Sequence, residues 1–446
     1  MTAVEPWAAP TATGPLDATV RLPGSKSLTA RYLVLAALAQ TPSHLGGVLQ
    51  ARDSSLMEQG LAALGSQFSH TLPDAVAVVP ASRPVRLASP AGATIDVGLA
   101  GTVMRFLAPV AALAAGETHF DGDEAARQRP MGALFDALER LGIDLHRPPG
   151  GLALPFSVRG SGRVTGGSVQ LDARHSSQFL SALALAAPLF DQGLTIQLSP
   201  PVLPSRPHVE LTIEALRRFG ATASQLDPWS WRVEPGGLTG QDLAVEADLS
   251  NAAPFLAAAL VAGGTVRVPD WPARTAQPGD RLRDYLQAFG AEVRWTRNGD
   301  SQAGELAVSA PGGQLNGVDL DLSPAGELAP CLAALAALAS SPSRLSGIGH
   351  LRGHETNRLV ALQTEIVRLG GAARELDDGL EIEPRPLRGA LVRTYGDHRL
   401  ATFGALIGLA VPGVRIDEIG VTTKTLPQFG SLWRAMAATE RRHRAA

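Results

Sequence analysis

Eight short stretches of this 446-residue chain hold the side chains best suited to gripping anions or moving protons. The first, Leu22-Pro-Gly-Ser-Lys-Ser-Leu-Thr-Ala-Arg31, sets an ammonium and a guanidinium beside a glycine that lets backbone approach a ligand closely. It is not a P-loop, because the GxxxxGK[ST] frame is missing. The second, Asp96-Val-Gly-Leu-Ala-Gly-Thr-Val-Met-Arg105, has Gly98 and Gly101 placed for a tight approach of backbone N–H groups. Arg127-Gln-Arg-Pro-Met131, Ser176-Ser-Gln178 and Ser205-Arg-Pro-His208 follow. The series ends with Leu351-Arg-Gly-His-Glu-Thr-Asn-Arg358, Tyr395-Gly-Asp-His-Arg399 and Lys424-Thr-Leu-Pro427. Guanidinium forks match carboxylate and phosphate oxygens in pairs, so the chemistry suggested is recognition of small anionic substrates.

The lysines sharpen that reading. Lysine occurs only at Lys26 and Lys424, and the other 37 of the 39 basic side chains are arginine. A coding bias that replaced lysine wherever arginine would serve has spared two positions. Both lie in the stretches above, and a compact three-donor ammonium is not interchangeable with a guanidinium.

These residues are positioned by a sixfold repeat. Segments that begin with small polar or charged residues and run into alanine- and leucine-rich helix start at Ser27, Gly101, Ser176, Ser250, Glu327 and Asp397. Their spacings are 74, 75, 74, 77 and 70 residues, so six units account for the chain. A second, amphipathic helical pattern follows most of them and closes on Gly65, Gly142, Gly220, Gly290 or Gly370, where glycine suits a left-handed C-cap. Short alternating stretches such as Ala291–Trp295 and Leu380–Glu383 then read as strands. The first helix of each unit is apolar nearly all round and must be enclosed. The spacing therefore predicts α/β units of the order strand, buried helix, strand, amphipathic helix, strand, strand. Three per domain would give two domains with helices inside and sheets outside. Ser27, Thr102, Ser176, Ser250 and Asp397 each read singly as N-caps. Six helix starts together, with basic residues beside four, also fit an anion cleft built on helix N-termini.

Composition excludes several classes. A net charge of −3, with no basic block before the Glu440–Arg444 tail, gives no support for nucleic acid or anionic membrane as partner. A single cysteine, Cys331, rules out an internal disulfide, a zinc cluster or an iron–sulfur site. Apolar runs such as Leu328–Leu338 fall short of the ~20 residues needed to span a bilayer. The N-terminus has no basic stretch leading into an apolar core, so no signal peptide is read and a cytoplasmic location is expected.

Read together, the eight stretches resemble the 5-enolpyruvylshikimate-3-phosphate synthase (3-phosphoshikimate 1-carboxyvinyltransferase) family, in order and spacing, over about residues 18 to 435. The resemblance implies a two-domain inside-out α/β barrel, with residues 25–245 as one domain and residues 1–24 with 246–446 as the other, and the active site in the cleft between them. It implies transfer of the enolpyruvyl group of phosphoenolpyruvate to the 5-hydroxyl of shikimate 3-phosphate, with no metal, no organic cofactor and a monomeric enzyme. Shikimate 3-phosphate would be held by Lys26, Ser27, Arg31, Ser176, Ser177, Gln178, Ser205, Glu327 and His354. Phosphoenolpyruvate would be held by Lys26, Gly101, Arg129, Gln178, Arg358, Arg399 and Lys424. Glu327, Glu355 and Lys26 would be catalytic. On the residues alone Glu327 reads as well as a helix-start acid, and Glu355 as the i,i+3 partner of Arg358.

The chain departs from the commonest family pattern at five positions. Leu99 and Gly396 stand where asparagine is usual, Glu327 for aspartate, His354 for lysine and His208 for tyrosine. The acid at 327 is kept, displaced by one methylene. His354 alone weakens the cationic set, and it can still carry a proton. Two rival readings are a sister enolpyruvyl transferase acting on UDP-N-acetylglucosamine and a non-catalytic binder of phosphorylated ligands on the same repeats. The first normally needs a loop cysteine, whereas Cys331 sits in an apolar helical run.

Overall fold

The computed structural model describes residues 5–82, 85–86, 92–148, 153–299, 302–310 and 315–438, with residues 85–86 described by backbone alone. The basic tail noted above lies outside them. The chain forms two compact units, Gly24–Val245 and Met1–Pro23 with Glu246–Ala446. At the crossing point Gly24 is obligatory, since a Cβ there would sit 1.9 Å from the carbonyl oxygen of Gly47.

Twelve α-helices alternate between two kinds among the described residues. In the first unit they are α1 (Lys26–Ala37), α2 (Arg52–Ala63), α3 (Gly101–Ala111), α4 (Gly132–Arg140), α5 (Gln178–Ala186) and α6 (Arg206–Arg218). In the second they are α7 (Leu249–Ala262), α8 (Leu282–Ala288), α9 (Ala329–Leu338), α10 (Arg358–Arg368), α11 (His398–Ala410) and α12 (Phe429–Ala437). The odd-numbered helices are buried on almost every face and pack on one another, α1 with α3 and α5, α7 with α9 and α11. Alanine dominates them because three helices can share one centre only if their side chains are short. Each buried leucine, such as Leu33, Leu107 or Leu335, contributes about 1.5–3 kcal/mol.

Three of the sheets repeat one plan: two parallel strands flank α3, α5 or α9 in sequence, and an antiparallel hairpin extends the sheet. Residues 167–171 and 194–198 pair in parallel around α5, and 230–233 and 223–227 add antiparallel strands. The sheet around α9 is built the same way from 319–321, 343–346, 380–383 and 372–375. In the first unit, residues 242–244 return to pair in parallel with 43–46, so the end of the unit completes its first sheet. In the second, the N-terminal strand Leu16–Thr19 pairs in parallel with Gly264–Pro272. The sixth repeat is shorter than the spacing suggests. Its strands 391–392 and 415–416 gain only the N-terminal strand Trp7–Ala8, because the chain after α11 forms α12 instead of a hairpin.

The amphipathic helices end as their sequences indicate. Gly65, Gly142, Gly220, Gly290 and Gly370 all have positive φ, between 78° and 105°. After α2 the N–H of Gly65 bonds the carbonyl of Ala62 and that of Ser66 the carbonyl of Leu61, the paired bonds of a Schellman cap. The same pair recurs at the four other glycines. The stretches read as strands from sequence are strands, at Glu292–Arg297 and Leu380–Glu383.

Candidate active site

In the first unit the cations are fixed at the starts of the buried helices. Ser25, not Ser27, caps α1, its Oγ accepting from the N–H of Leu28 at 3.4 Å. Ala100 precedes α3, so Thr102 does not cap it either. Lys26 Nζ lies 3.3 Å from the buried Asp53 carboxylate. Arg31 is fully enclosed: Nε donates to Thr212 Oγ1 at 2.8 Å, Nη1 to the carbonyl of Ser27 at 2.9 Å, and Nη2 to Ser181 Oγ at 3.4 Å and the carbonyl of His208 at 3.0 Å. The Phe106 ring lies 5.3 Å from the guanidinium carbon. Every one of these partners is neutral, and burial pushes the Arg31 guanidinium down to about 9. A cation held in that way gains much from a bound anion.

Gly101 and Arg129 form a second feature of this unit. The Arg129 guanidinium covers the start of α3 so closely that a Cβ on Gly101 would lie 2.7 Å from Nη1. Nη1 donates to the Leu99 carbonyl at 3.1 Å, and the buried Nε has no hydrogen-bond partner among the described residues. Residue 99 thus contributes through its backbone, which leucine supplies as well as asparagine. Ser176, Ser177 and Gln178 open α5. Arg105 donates to Ser176 Oγ at 3.3 Å and to Gln178 Oε1 at 2.8 Å, which turns the Gln178 amide so that its NH2 is the end left to donate. Ser205 starts α6 in the left-handed region, with φ at 51°, a rare conformation for a residue with a side chain. Its neighbour Arg206 stacks on Trp229 and Trp231, at 5.2 and 5.7 Å.

In the second unit the cations meet carboxylates. Glu355 accepts from Lys424 Nζ at 2.6 Å and from Arg358 Nη2 at 2.8 Å, so the i,i+3 pairing and a second cation coexist on one carboxylate. Arg358 also donates to Asp397, from Nε at 2.7 Å and from Nη2 at 3.2 Å. Burial lowers the Arg358 pKa, but Asp397 and Glu355 outweigh it and hold the guanidinium above its ordinary value. Asp397 does cap α11, accepting from the N–H of Arg399 at 2.8 Å, and so both starts the helix and anchors Arg358. Arg399 Nη1 donates to the Ser250 carbonyl at 2.9 Å, while Ser250 Oγ donates to Glu327 Oε1 at 3.2 Å. His354 Nδ1 lies 3.4 Å from Arg358 Nη1, and its ring meets His350 edge-on at 5.9 Å.

Glu355, Asp397 and His398 bring three potential metal-ligand atoms within 4.8 Å of one another. Arg358 already donates to both carboxylates and Lys424 to one, so an ion would have to displace two cations. The cluster has the chemistry of an ion-pair network. Below it the buried Glu365 accepts from the N–H of Arg393 at 3.0 Å and from the Tyr395 hydroxyl at 2.6 Å. α10 therefore grips the 393–397 loop through Arg358 and, two turns on, through Glu365.

The chain as a whole is similar to known proteins. The family model for EPSP synthase (3-phosphoshikimate 1-carboxyvinyltransferase) matches residues 10–433. The chain is 53% identical, over 97% of both proteins, to a 3-phosphoshikimate 1-carboxyvinyltransferase of Kocuria rhizophila. The chain belongs to the EPSP synthase family. Among solved structures it is similar to EPSP synthase of Acinetobacter baumannii, with a TM-score of 0.79, 22% identity and 97% of each chain covered. It also matches the enolpyruvyl transferase NikO of Streptomyces tendae at a TM-score of 0.75, 20% identity and 97% of each chain. These establish the two-domain inside-out α/β fold.

Four contacts to the candidate residues are not apparent from residue types alone: Asp53 behind Lys26, Arg105 behind Gln178, Asp397 behind Arg358, and Ser250 behind Glu327. Arg105 lies inside the 96–105 stretch and Asp397 inside the 395–399 stretch, where Asp397 also reads as a helix cap. No helix among the described residues is long and apolar enough to cross a membrane.

Proposed function

We propose that this chain transfers the enolpyruvyl group of phosphoenolpyruvate to the 5-hydroxyl of shikimate 3-phosphate, giving 5-enolpyruvylshikimate 3-phosphate and inorganic phosphate. The observation that carries the reading is the 53% identity over nearly the full length to a protein of that activity. The geometry supports the division of labour. Arg31, Lys26, Ser27, Ser176, Ser177, Gln178 and Ser205 bind shikimate 3-phosphate, with Glu327 and His354. Arg129, Gly101, Lys26, Gln178, Arg358, Arg399 and Lys424 bind phosphoenolpyruvate.

In the first step the 5-oxygen forms a bond to C2 of phosphoenolpyruvate while C3 accepts a proton and the hydroxyl loses its own. In the second, the C2–O bond to phosphate breaks as C3 returns a proton. Two carboxylates of opposite duty are needed, and Glu327 and Glu355 supply them. Glu355 lies between Lys424 and Arg358, beside the cations that would take the phosphate and carboxylate of phosphoenolpyruvate. Cationic side chains can compensate the charge of the adduct. We infer a cytoplasmic, monomeric enzyme, since both substrates are phosphorylated metabolites and each unit completes its own sheets.

A sister activity on UDP-N-acetylglucosamine is disfavoured by Cys331. It is enclosed in α9, and burial pushes its thiol up to about 12, far from a nucleophile at neutral pH. Phosphate release measured with phosphoenolpyruvate plus either acceptor tests the reading, with product mass confirming the transfer. Release only with shikimate 3-phosphate is expected. Release with the sugar nucleotide instead, or with neither, would overturn it.

A further inference from the structure

Ser250 is the second residue of α7, yet the helix does not need its side chain, because Asp248 is the cap and accepts from the N–H of Asn251 at 2.9 Å. Its two oxygens are used elsewhere. The hydroxyl donates to Glu327 Oε1 at 3.2 Å, and the carbonyl accepts from Arg399 Nη1 at 2.9 Å. One residue therefore touches the carboxylate on the turn before α9 and the guanidinium at the start of α11, which are 72 positions apart in sequence.

We propose that Ser250 is a positioning residue for the transfer: its hydroxyl orients the Glu327 carboxylate while its backbone carbonyl fixes Arg399, so that the proton-handling group and a phosphoenolpyruvate-binding cation are set from a single point. This rests on the catalytic reading of Glu327. The geometry explains how the longer glutamate is tolerated where aspartate is usual, since an added methylene adds a rotatable bond and the hydroxyl restrains it.

A hydroxyl donating to a carboxylate favours the ionised form. Arg358 on α10 and Tyr285 on α8 also feel the charge of Glu327, and Arg399 on α11 stays on the Ser250 carbonyl, so truncating the serine side chain removes none of these contacts.

The test is Ser250→Ala, with Ser250→Thr as the conservative partner and Glu327→Gln as control, each assayed by phosphate release across pH 5.5 to 9. Ser250→Ala is expected to lower kcat about tenfold, in line with loss of a hydrogen bond to a charged group. The acid limb of its kcat profile should move to higher pH. KM for phosphoenolpyruvate should stay within about twofold, because the carbonyl contact to Arg399 remains. Ser250→Thr should restore both rate and limb. An alanine variant whose profile superimposes on the parent would overturn the inference, since a merely structural role lowers the rate without moving the limb. Glu327→Gln separates the two levels. If it loses activity by more than about a hundredfold while Ser250→Ala leaves the profile in place, only the positioning role fails. If it remains active, the catalytic reading of Glu327 fails, and the role of Ser250 falls with it.

Discussion

The cations of the Gly24–Val245 unit and those of the second unit differ in what they touch. Arg31 is surrounded by two hydroxyls and two carbonyls, and Arg129 has one carbonyl and an unmatched buried N–H. Arg358 and Lys424 are closed on Glu355 and Asp397. A cation among neutral acceptors is desolvated without compensation, and its missing counter-ion is the substrate's to bring. A cation already paired gains less from an anion, but it holds a carboxylate in place. The first arrangement favours affinity and the second favours proton transfer. Lys26, paired with Asp53, is the exception in the first unit, and it is also the residue there to which the family resemblance gives a catalytic role.

The largest effect should come from removing a carboxylate from the paired set. Glu355→Gln keeps the shape and one of the two acceptor oxygens but cannot cycle a proton. It should reduce kcat by about 10²–10⁴. Shikimate 3-phosphate binding, followed by calorimetry, should change by no more than about threefold. A large loss of affinity with kcat intact would reverse the assignment of roles between the units.

Next in size is a pair of arginine truncations with opposite consequences. Arg358→Met strands Asp397 as a buried charge, leaves Glu355 with Lys424 alone and should destabilise the fold by about 3–5 kcal/mol. Arg31→Met removes a buried charge that no carboxylate balances. It should leave Tm unchanged or raised while weakening shikimate 3-phosphate binding by about 10- to 100-fold. The unmutated protein should show the same dependence through pH. The folded-state value of Arg31 is about 9 against an ordinary 12.5, so its charge and the affinity it supports fade as pH rises through 9. In that interval the unfolded chain keeps the proton the folded one has lost, so this group's contribution to stability rises with pH. Calorimetry and thermal unfolding at pH 7.5 and 9.5 would show the two quantities moving apart. A fall in Tm for Arg31→Met equal to that for Arg358→Met would erase the contrast.

Much of this architecture is legible in the sequence because local rules fix it. Leu-Gly and Phe-Gly at five helix ends report left-handed caps, and the apolar helices betray their burial by lacking a polar face. The sites are legible as stretches but not as contacts. Ser27 looks like the cap of α1, yet Ser25 does that work, because a cap is chosen by where the backbone turns and both serines fit the pattern. Arg31 finds Thr212 and Ser181 across 181 and 150 residues, which no local spacing encodes. Asp397 reads as a cap and is one, but its second duty toward Arg358 depends on packing of α10 against α11. The shortened sixth repeat is invisible to the spacing of helix starts, since it loses its hairpin only after its last recognisable segment.

The smallest effect concerns His354, where the family usually has lysine. Charge alone suggests an imidazolium serving as a weaker lysine, and efficiency would then fall as pH rises through the mildly alkaline range. The geometry offers a second role. Nδ1 lies 3.4 Å from Arg358 Nη1, and a ring nitrogen can accept from a guanidinium only when it carries no proton. Arg358 itself stays protonated throughout the working range, because its carboxylate partners raise its pKa. An unprotonated Nδ1 would accept from Arg358 and steady its outer edge, on the side away from Asp397. His354→Gln, which keeps an acceptor and has no titration, should hold kcat/KM within about threefold, and the shape of its profile from pH 6 to 9.5 should match the parent's. His354→Lys should cost more, since it sets an ammonium against the same guanidinium. If the glutamine variant instead lost efficiency below pH 7 while the lysine variant kept it, the histidine would be working through its positive charge.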